Sequence, residues 1–310
     1  MEPFKLSLSN GGTVAGILSL PPRSTSPLEY RPLVVGLHGS TYDCHYFNAD
    51  PKHTASISST GFGIPFISID RPCYGGTSSF LPIPEGSSFP QETGSWLHHY
   101  ILPALWSKFG VPNGCNCIVL LCHSLGAISG IVTAAMHAQD EKPQYPLGGI
   151  IISGIGDEQH PYMKENPISE PNNPPHHHRI PIPHKDAMMF QPETFHPDIL
   201  QHSERLDSPA PFAEFEGLTN HWLPSWADQW ASHVKAPVMF ALAERDCFFV
   251  VTEECVRRCA SAFVNSVRVD SSLVKNAPHC LELSYWSQGW YARCFGFAVE
   301  CSASFALSNR

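Results

Sequence analysis

Apolar and polar residues alternate in FKLSLS (4–9) and again in TVAGILSL (13–20), on either side of Asn10-Gly11-Gly12. The chain is therefore expected to open with two strands joined by a tight turn. Farther on, alternation gives way to unbroken apolar runs: PLVVGL (32–37), IPFISI (64–69), CIVLL (117–121), GGIIIS (148–153) and PVMFAL (237–242), with SVRVD (266–270) as a shorter candidate. A strand apolar on both sides is one covered on both faces. Between the runs lie stretches with helical spacing: SWLHHYILPALWSKF (95–109), GAISGIVTAAMHA (126–138), TEECVRRCASAF (252–263) and SYWSQGWYARCFGFAVE (284–300). Strands alternating with helices predict an α/β fold, with a mainly parallel central sheet flanked by helices.

The alternation stops at residue 157 and resumes at 237. The 80 residues between hold 12 of the chain's 29 prolines and 9 of its 17 histidines, and no clear strand pattern. Proline removes backbone donors and disfavours long regular elements, so 157–236 is expected to be an irregular or helical lid. It would be inserted into a core made of 1–156 and 237–310. A disordered linker is the competing reading, but Trp222, Trp226 and Trp230 recur at helical spacing, and disordered segments are poor in aromatic residues. The stripe is expected to fasten the lid to the body; Trp222 and Trp226 are alternatively candidates to line a substrate site. His176-His177-His178 with His184 lacks accompanying carboxylate or cysteine ligand spacing, so a solvent-facing stretch is expected there rather than a metal site.

A chain of 310 residues accommodates one large α/β domain with an insertion. The net charge of −9, with Lys and Arg scattered, gives no indication of a phosphate-binding surface, so nucleic acid is not an expected partner. Residues 1–12 lack the charged start and apolar block of a secretory signal, and no apolar stretch reaches bilayer length. A cytoplasmic protein without a membrane span is expected. The 11 cysteines run from Cys44 to Cys301 without paired zinc-type spacing, which predicts reduced, buried thiols. Cys115 with Cys117 and Cys255 with Cys259 are the places where a metal or redox pair would otherwise be sought. No sequence signal speaks to oligomeric state.

The candidate chemistry lies in LLCHSLGAISG (120–130), where a buried strand runs straight into a helix of small residues with Ser124 at the junction. A serine on such a turn projects its hydroxyl above the carboxyl edge of the sheet, and the amide of the next residue, Leu125, points toward an oxyanion formed at an attacked carbonyl. Cys122 and Gly126 supply the small side chains this turn requires. Other S-x-G triplets begin at Ser9, Ser59 and Ser287, but none follows a buried strand and opens a helix.

With these residues the chain resembles the α/β-hydrolase superfamily, from the first hairpin to the last helix with the lid interposed. His38-Gly39-Ser40-Thr41, after the first apolar run, is similar to the turn that supplies the second oxyanion amide; the resemblance assigns that role to Ser40, with Thr41 in reserve. Asp70 to Ser78 is similar to the DxPGxGxS turn, with Cys73 at a glycine position. Cys122 to Gly126 is similar to the nucleophile elbow, with cysteine for its first glycine. Pro237 to Asp246 is similar to the acid-bearing strand, and Ala277-Pro278-His279 to the late histidine.

The resemblance implies the order Ser, Asp, His, which Ser124, Asp246 and His279 satisfy. Glu244 and Asp157 are rival acids. His123 is expected to point into the fold, or to line the substrate site, and His38 to support the oxyanion turn. Covalent acyl transfer to water through these residues needs no metal or organic cofactor. The aromatic, cation-poor lid suits a moderately large apolar ester, thioester or lactone, and the resemblance suggests secondary, polyketide-type metabolism. An acyltransferase, a carbon–carbon hydrolase or lyase, a cyclase, and a hydrolase-fold receptor with little turnover are the alternatives.

Overall fold

The computed structural model describes residues 1–165 and 177–308. Its strands are β1 (Glu2–Ser7), β2 (Thr13–Ser19), β3 (Pro32–Leu37), β4 (Phe66–Ile69), β5 (Cys117–His123), β6 (Leu147–Ser153), β7 (His177–His178), β8 (Ala210–Pro211), β9 (Val238–Arg245) and β10 (Val269–Pro278). Eight of them form one sheet in the order β1-β2-β4-β3-β5-β6-β9-β10. The opening hairpin is antiparallel and joins β4 antiparallel, while every pairing from β4 to β10 is parallel. Parallel neighbours need crossovers, and the helices of those crossovers cover both faces.

The two faces carry separate cores. Helices Leu125–Gln139 and Glu253–Ser261 close one, with Leu120, Ile128, Ile152 and Phe240 at its centre. Helix Ser287–Ser308 closes the other through Tyr291, Phe295 and Ala298 against Val34, Val119 and Ile151. Buried cysteines act here as small apolar residues fitted to glycines. A Cβ added at Gly148 would lie 2.4 Å from Cys117 Sγ, and one at Gly149 would lie 2.7 Å from Cys301 Sγ.

Three local departures from expectation are found, and the first two have physical causes. The run at 266–270 enters the sheet only at Val269; Val267 is exposed in a turn, and the strand continues to Pro278 because an edge position tolerates Asp270, Ser271 and Lys275. The expected helix at 95–109 widens into π-turns at Leu97–Ile101 and Trp106–Gly110, and Leu218–Trp222 does the same. Each π-turn ends two residues before a proline (Pro103, Pro112, Pro224), whose missing N–H and bulky ring disfavour the regular i to i−4 bond. Segment 157–236 is not free of strands, since β7 and β8 pair antiparallel. It also carries helices Ile182–Met189, Phe212–Gly217 and Leu223–Gln229.

Candidate active site

β5 ends against Ser124, whose backbone takes φ 52, ψ −129 before the helix begins at Leu125. That conformation is strained for any residue with a side chain. Ser124 is held in it by its own N–H, which donates to the Ser153 carbonyl at 2.8 Å. The helix start must also clear β3: a Cβ at Gly126 would come within 2.4 Å of the carbonyl oxygens of Leu37 and His38. Cys122, standing where the elbow has its first glycine, finds room because Gly130 lies beneath it; a Cβ there would meet Cys122 Sγ at 2.4 Å. Gly39 lies against the serine in the same way, with an added Cβ 2.9 Å from Ser124 Cβ.

At the carboxyl edge three distant residues meet. Ser124 Oγ is 3.0 Å from His279 Nε2, and His279 Nδ1 is 2.6 Å from Asp246 Oδ2. Asp246 Oδ1 accepts the amides of Phe248 and Phe249 at 2.8 and 3.3 Å, which orients the carboxylate at the end of β9. A carboxylate accepts only, so Nδ1 carries the imidazole proton and Nε2 is left to receive that of the serine. The rival acids are engaged elsewhere. Glu244 accepts from Lys275 Nζ and the Asn276 amide, and Asp157 pairs with Arg258.

Ser40 and Leu125 line the cavity beside Ser124. The Leu125 amide is the first of its helix, so it has no intrahelical acceptor. His38 is buried behind the turn; Nδ1 donates to the Gly39 carbonyl at 2.7 Å, and Nε2 accepts the Arg71 amide at 3.1 Å. His123 turns inward, stacked on Tyr46 at 4.8 Å and 3.2 Å from Ser153 Oγ. Burial, helped by Arg71, pushes His38 down to about 3. Burial also drives His123 well below the ordinary histidine value, with His279 and His38 adding to the effect.

Both rings are thus neutral in the folded chain and gain protons on unfolding below about pH 6.5. Their contribution to stability is complete above that pH and is lost as pH falls toward the folded values, at about 1.4 kcal/mol per unit for each ring. Urea unfolding at about pH 7.5 and about pH 5 is expected to differ by about 2 kcal/mol from His38 alone, with His123 acting in the same direction. A flat stability across that interval would contradict their burial as neutral rings.

The cavity above Ser124 has a volume of about 420 Å³ and includes Thr41 in its wall. Its apolar lining comes from Ile180, Met189, Phe212 and Phe215 of the segment before β9 and from Phe248 and Phe249 after it. Half-buried Gln159 and exposed Glu216 and Asn220 supply polar groups. No lysine or arginine lines the cavity among the described residues. His123, Trp222 and Trp226 do not line it either, because each is spent on packing. Trp222 stacks on Trp226 at 5.7 Å and Trp226 meets Phe263 at 6.1 Å, inside the core rather than over the site.

Of the histidines expected to face solvent, His184 is exposed, whereas His177 is half-buried with Nε2 3.0 Å from the Cys73 carbonyl oxygen and His178 is buried; His176 lies outside the described residues. All 11 cysteines are free thiols. Among the described residues, Asp43, Cys44 and His45 bring potential metal-binding atoms within 4.8 Å of one another, but Asp43 Oδ1 already accepts from the His45 amide at 2.8 Å. No helix among the described residues is long and apolar enough to cross a membrane. Sequence reasoning missed Tyr74, Lys185 and Glu214, which surround the Ser40 turn. Tyr74 falls within the DxPGxGxS-like stretch, but nothing local marks the other two.

A family model described as "Alpha/beta hydrolase family" matches residues 34–289. No curated protein sequence matches this one. Among solved structures the chain is similar to an E-2-(acetamidomethylene)succinate hydrolase, at 14% identity and TM-score 0.61 over 96% of this chain and 100% of that one. It is also similar to a monoacylglycerol lipase of Paleococcus ferrophilus, at 15% identity and TM-score 0.59 over 97% and 100%. An epoxide hydrolase of Vigna radiata is similar at 15% identity and TM-score 0.59, over 96% and 97%. At such identities the likeness is one of fold, an eight-stranded, mostly parallel sheet flanked by helices.

Proposed function

The chain belongs to the alpha/beta hydrolase family, and from that premise we propose that it is a serine hydrolase cleaving an ester, thioester or lactone of a moderately large apolar small molecule. The observation that carries this reading is the unbroken hydrogen-bonded chain from Ser124 through His279 to Asp246, opening onto an apolar cavity. Ser124 Oγ attacks the carbonyl carbon while His279 Nε2 takes its proton; Asp246 holds the ring and balances the imidazolium charge. The oxyanion is met by the amides of Leu125 and Ser40. His279 then protonates the leaving oxygen or sulfur, and a water deprotonated by the same ring releases the acyl group.

The apolar wall, free of lysine and arginine among the described residues, favours a neutral acyl chain over an anionic substrate. Segment 157–236 is the lid of this reading, since it contributes Ile180, Met189, Phe212 and Phe215 to that wall. A fluorophosphonate probe tests the proposal together with a panel of acyl esters of increasing chain length. Labelling at Ser124 and steady turnover are the expected results. A folded protein that is neither labelled nor turns over any ester would sink it, and ligand retention without turnover would favour a receptor.

A further inference from the structure

Two sets of bonds converge on Ser40 from outside the reacting groups. The first holds its side chain. Tyr74 Oη lies 3.2 Å from Ser40 Oγ and gives its single proton to Glu214 Oε2. The serine hydroxyl is therefore the donor to Tyr74, and its proton points to Tyr74 along a line fixed by Glu214. Glu214 is itself anchored by Arg71 Nη1, whose guanidinium sits 4.7 Å from the centre of the Tyr74 ring. The second set holds the residue after Ser40. Thr41 has φ 62, a conformation that β-branched residues avoid. Its carbonyl oxygen accepts from Lys185 Nζ and, at 3.0 Å, from the Ser208 amide. Lys185 is buried, paired with Asp207 at 3.0 Å and 4.0 Å from the centre of the Tyr42 ring.

Lys185, Ser208 and Glu214 all belong to segment 157–236, and none of them lines the cavity. We infer that this segment positions the oxyanion amide of Ser40: Glu214 acts through Tyr74 on the Ser40 side chain, while Lys185 and Ser208 hold the strained Thr41 carbonyl that follows it. The inference rests on Ser40 being an oxyanion donor. Such a donor works only when its direction is set before charge develops, and a turn containing a left-handed threonine relaxes when its restraints are removed.

Kinetics of Tyr74→Phe and Lys185→Met separate positioning from mere fastening. For each variant kcat is expected to fall about 10- to 100-fold, with KM within about threefold of wild type. Affinity for an alkylboronic acid, whose tetrahedral adduct on Ser124 puts an oxygen in the hole, should fall in parallel. Ester binding to the same variants in a Ser124→Ala background should be unchanged. In a Ser40→Ala protein, which keeps the amide but not the hydroxyl, Tyr74→Phe should cost nothing further. Tyr74→Phe removes one oxygen and leaves the ring over Arg71, so a folded variant is available even where Lys185→Met lowers stability. Unchanged kcat and boronate affinity, or loss of ester binding in step with kcat, would overturn the inference. Wild-type turnover that survives Ser124→Ala would instead overturn the assignment of the site itself.

Discussion

Replacing Ser124 with alanine is expected to lower kcat toward acyl esters by about four to six orders of magnitude, the largest effect of any single substitution in this protein. In the proposed mechanism no acyl-enzyme forms without Oγ, although His279 would still draw a proton from water and Ser40 and Leu125 still line the cavity. Those remnants set the floor, at about a thousandfold above the uncatalysed rate. Binding of the ester should change little, because the cavity wall is made by other residues. The backbone adds a second expectation. At φ 52, ψ −129 alanine inherits the strain of serine, whereas glycine does not. Ser124→Gly should therefore be as inactive as Ser124→Ala but more stable than it by roughly 1 kcal/mol. Steady-state kinetics and urea titration of the two variants check both statements. Equal stability would contradict the strain at Ser124, and residual activity within about a hundredfold of wild type would contradict the role proposed for its hydroxyl.

The elements of this fold were legible wherever burial was uniform along a segment. β3, β5, β6 and β9 are covered on both faces and read as apolar runs. β10 did not, because Asp270, Ser271, Ser272 and Lys275 are edge residues with one side open to solvent. The serine and histidine of the candidate site were legible for a related reason: a strand-to-helix turn and a post-strand loop each leave a short-range signature, and Asp246 closes an apolar run. Cysteine in place of glycine at 122 left the elbow readable, and its sulfur fits against Gly130, eight residues farther along the chain. What stayed hidden were pairings with no local pattern. Arg71 meets Glu214 across 143 positions, and Lys185 meets Thr41 across 144. A glutamate in AEFEG and a lysine in PHKD look like solvated surface residues, and only the tertiary fold buries them. The tryptophan stripe shows the converse: its helical spacing was readable, but whether it faced the cavity or the core was decided by Phe263.

The Arg71–Glu214 pair carries the largest expected effect on stability. Both side chains are buried, Arg71 at 0% and Glu214 at 4% exposure. Nε and Nη2 of Arg71 have no hydrogen-bonding partner among the described residues, so the guanidinium is balanced by Glu214 and the face of Tyr74. Burial works against its charge, but Glu214 and Tyr74 together outweigh burial and hold the arginine above its ordinary pKa. Glu214→Ala should then lower the unfolding free energy by about 3–5 kcal/mol, because an arginine cannot shed its proton to escape. Arg71→Met should cost less, since the stranded Glu214 carboxyl can take up a proton from water and become neutral. Removing both charges together, as Arg71→Met with Glu214→Leu, should recover most of the loss caused by Glu214→Ala, because well-packed apolar groups replace a buried pair at little net cost. Urea titrations of the three variants decide it: additive losses, or a costlier Arg71→Met, would contradict the dependence of the buried guanidinium on one carboxylate. A double variant that is as stable as wild type yet slower in ester turnover would place the value of the pair in where it seats helix Phe212–Gly217, rather than in the energy it contributes to folding.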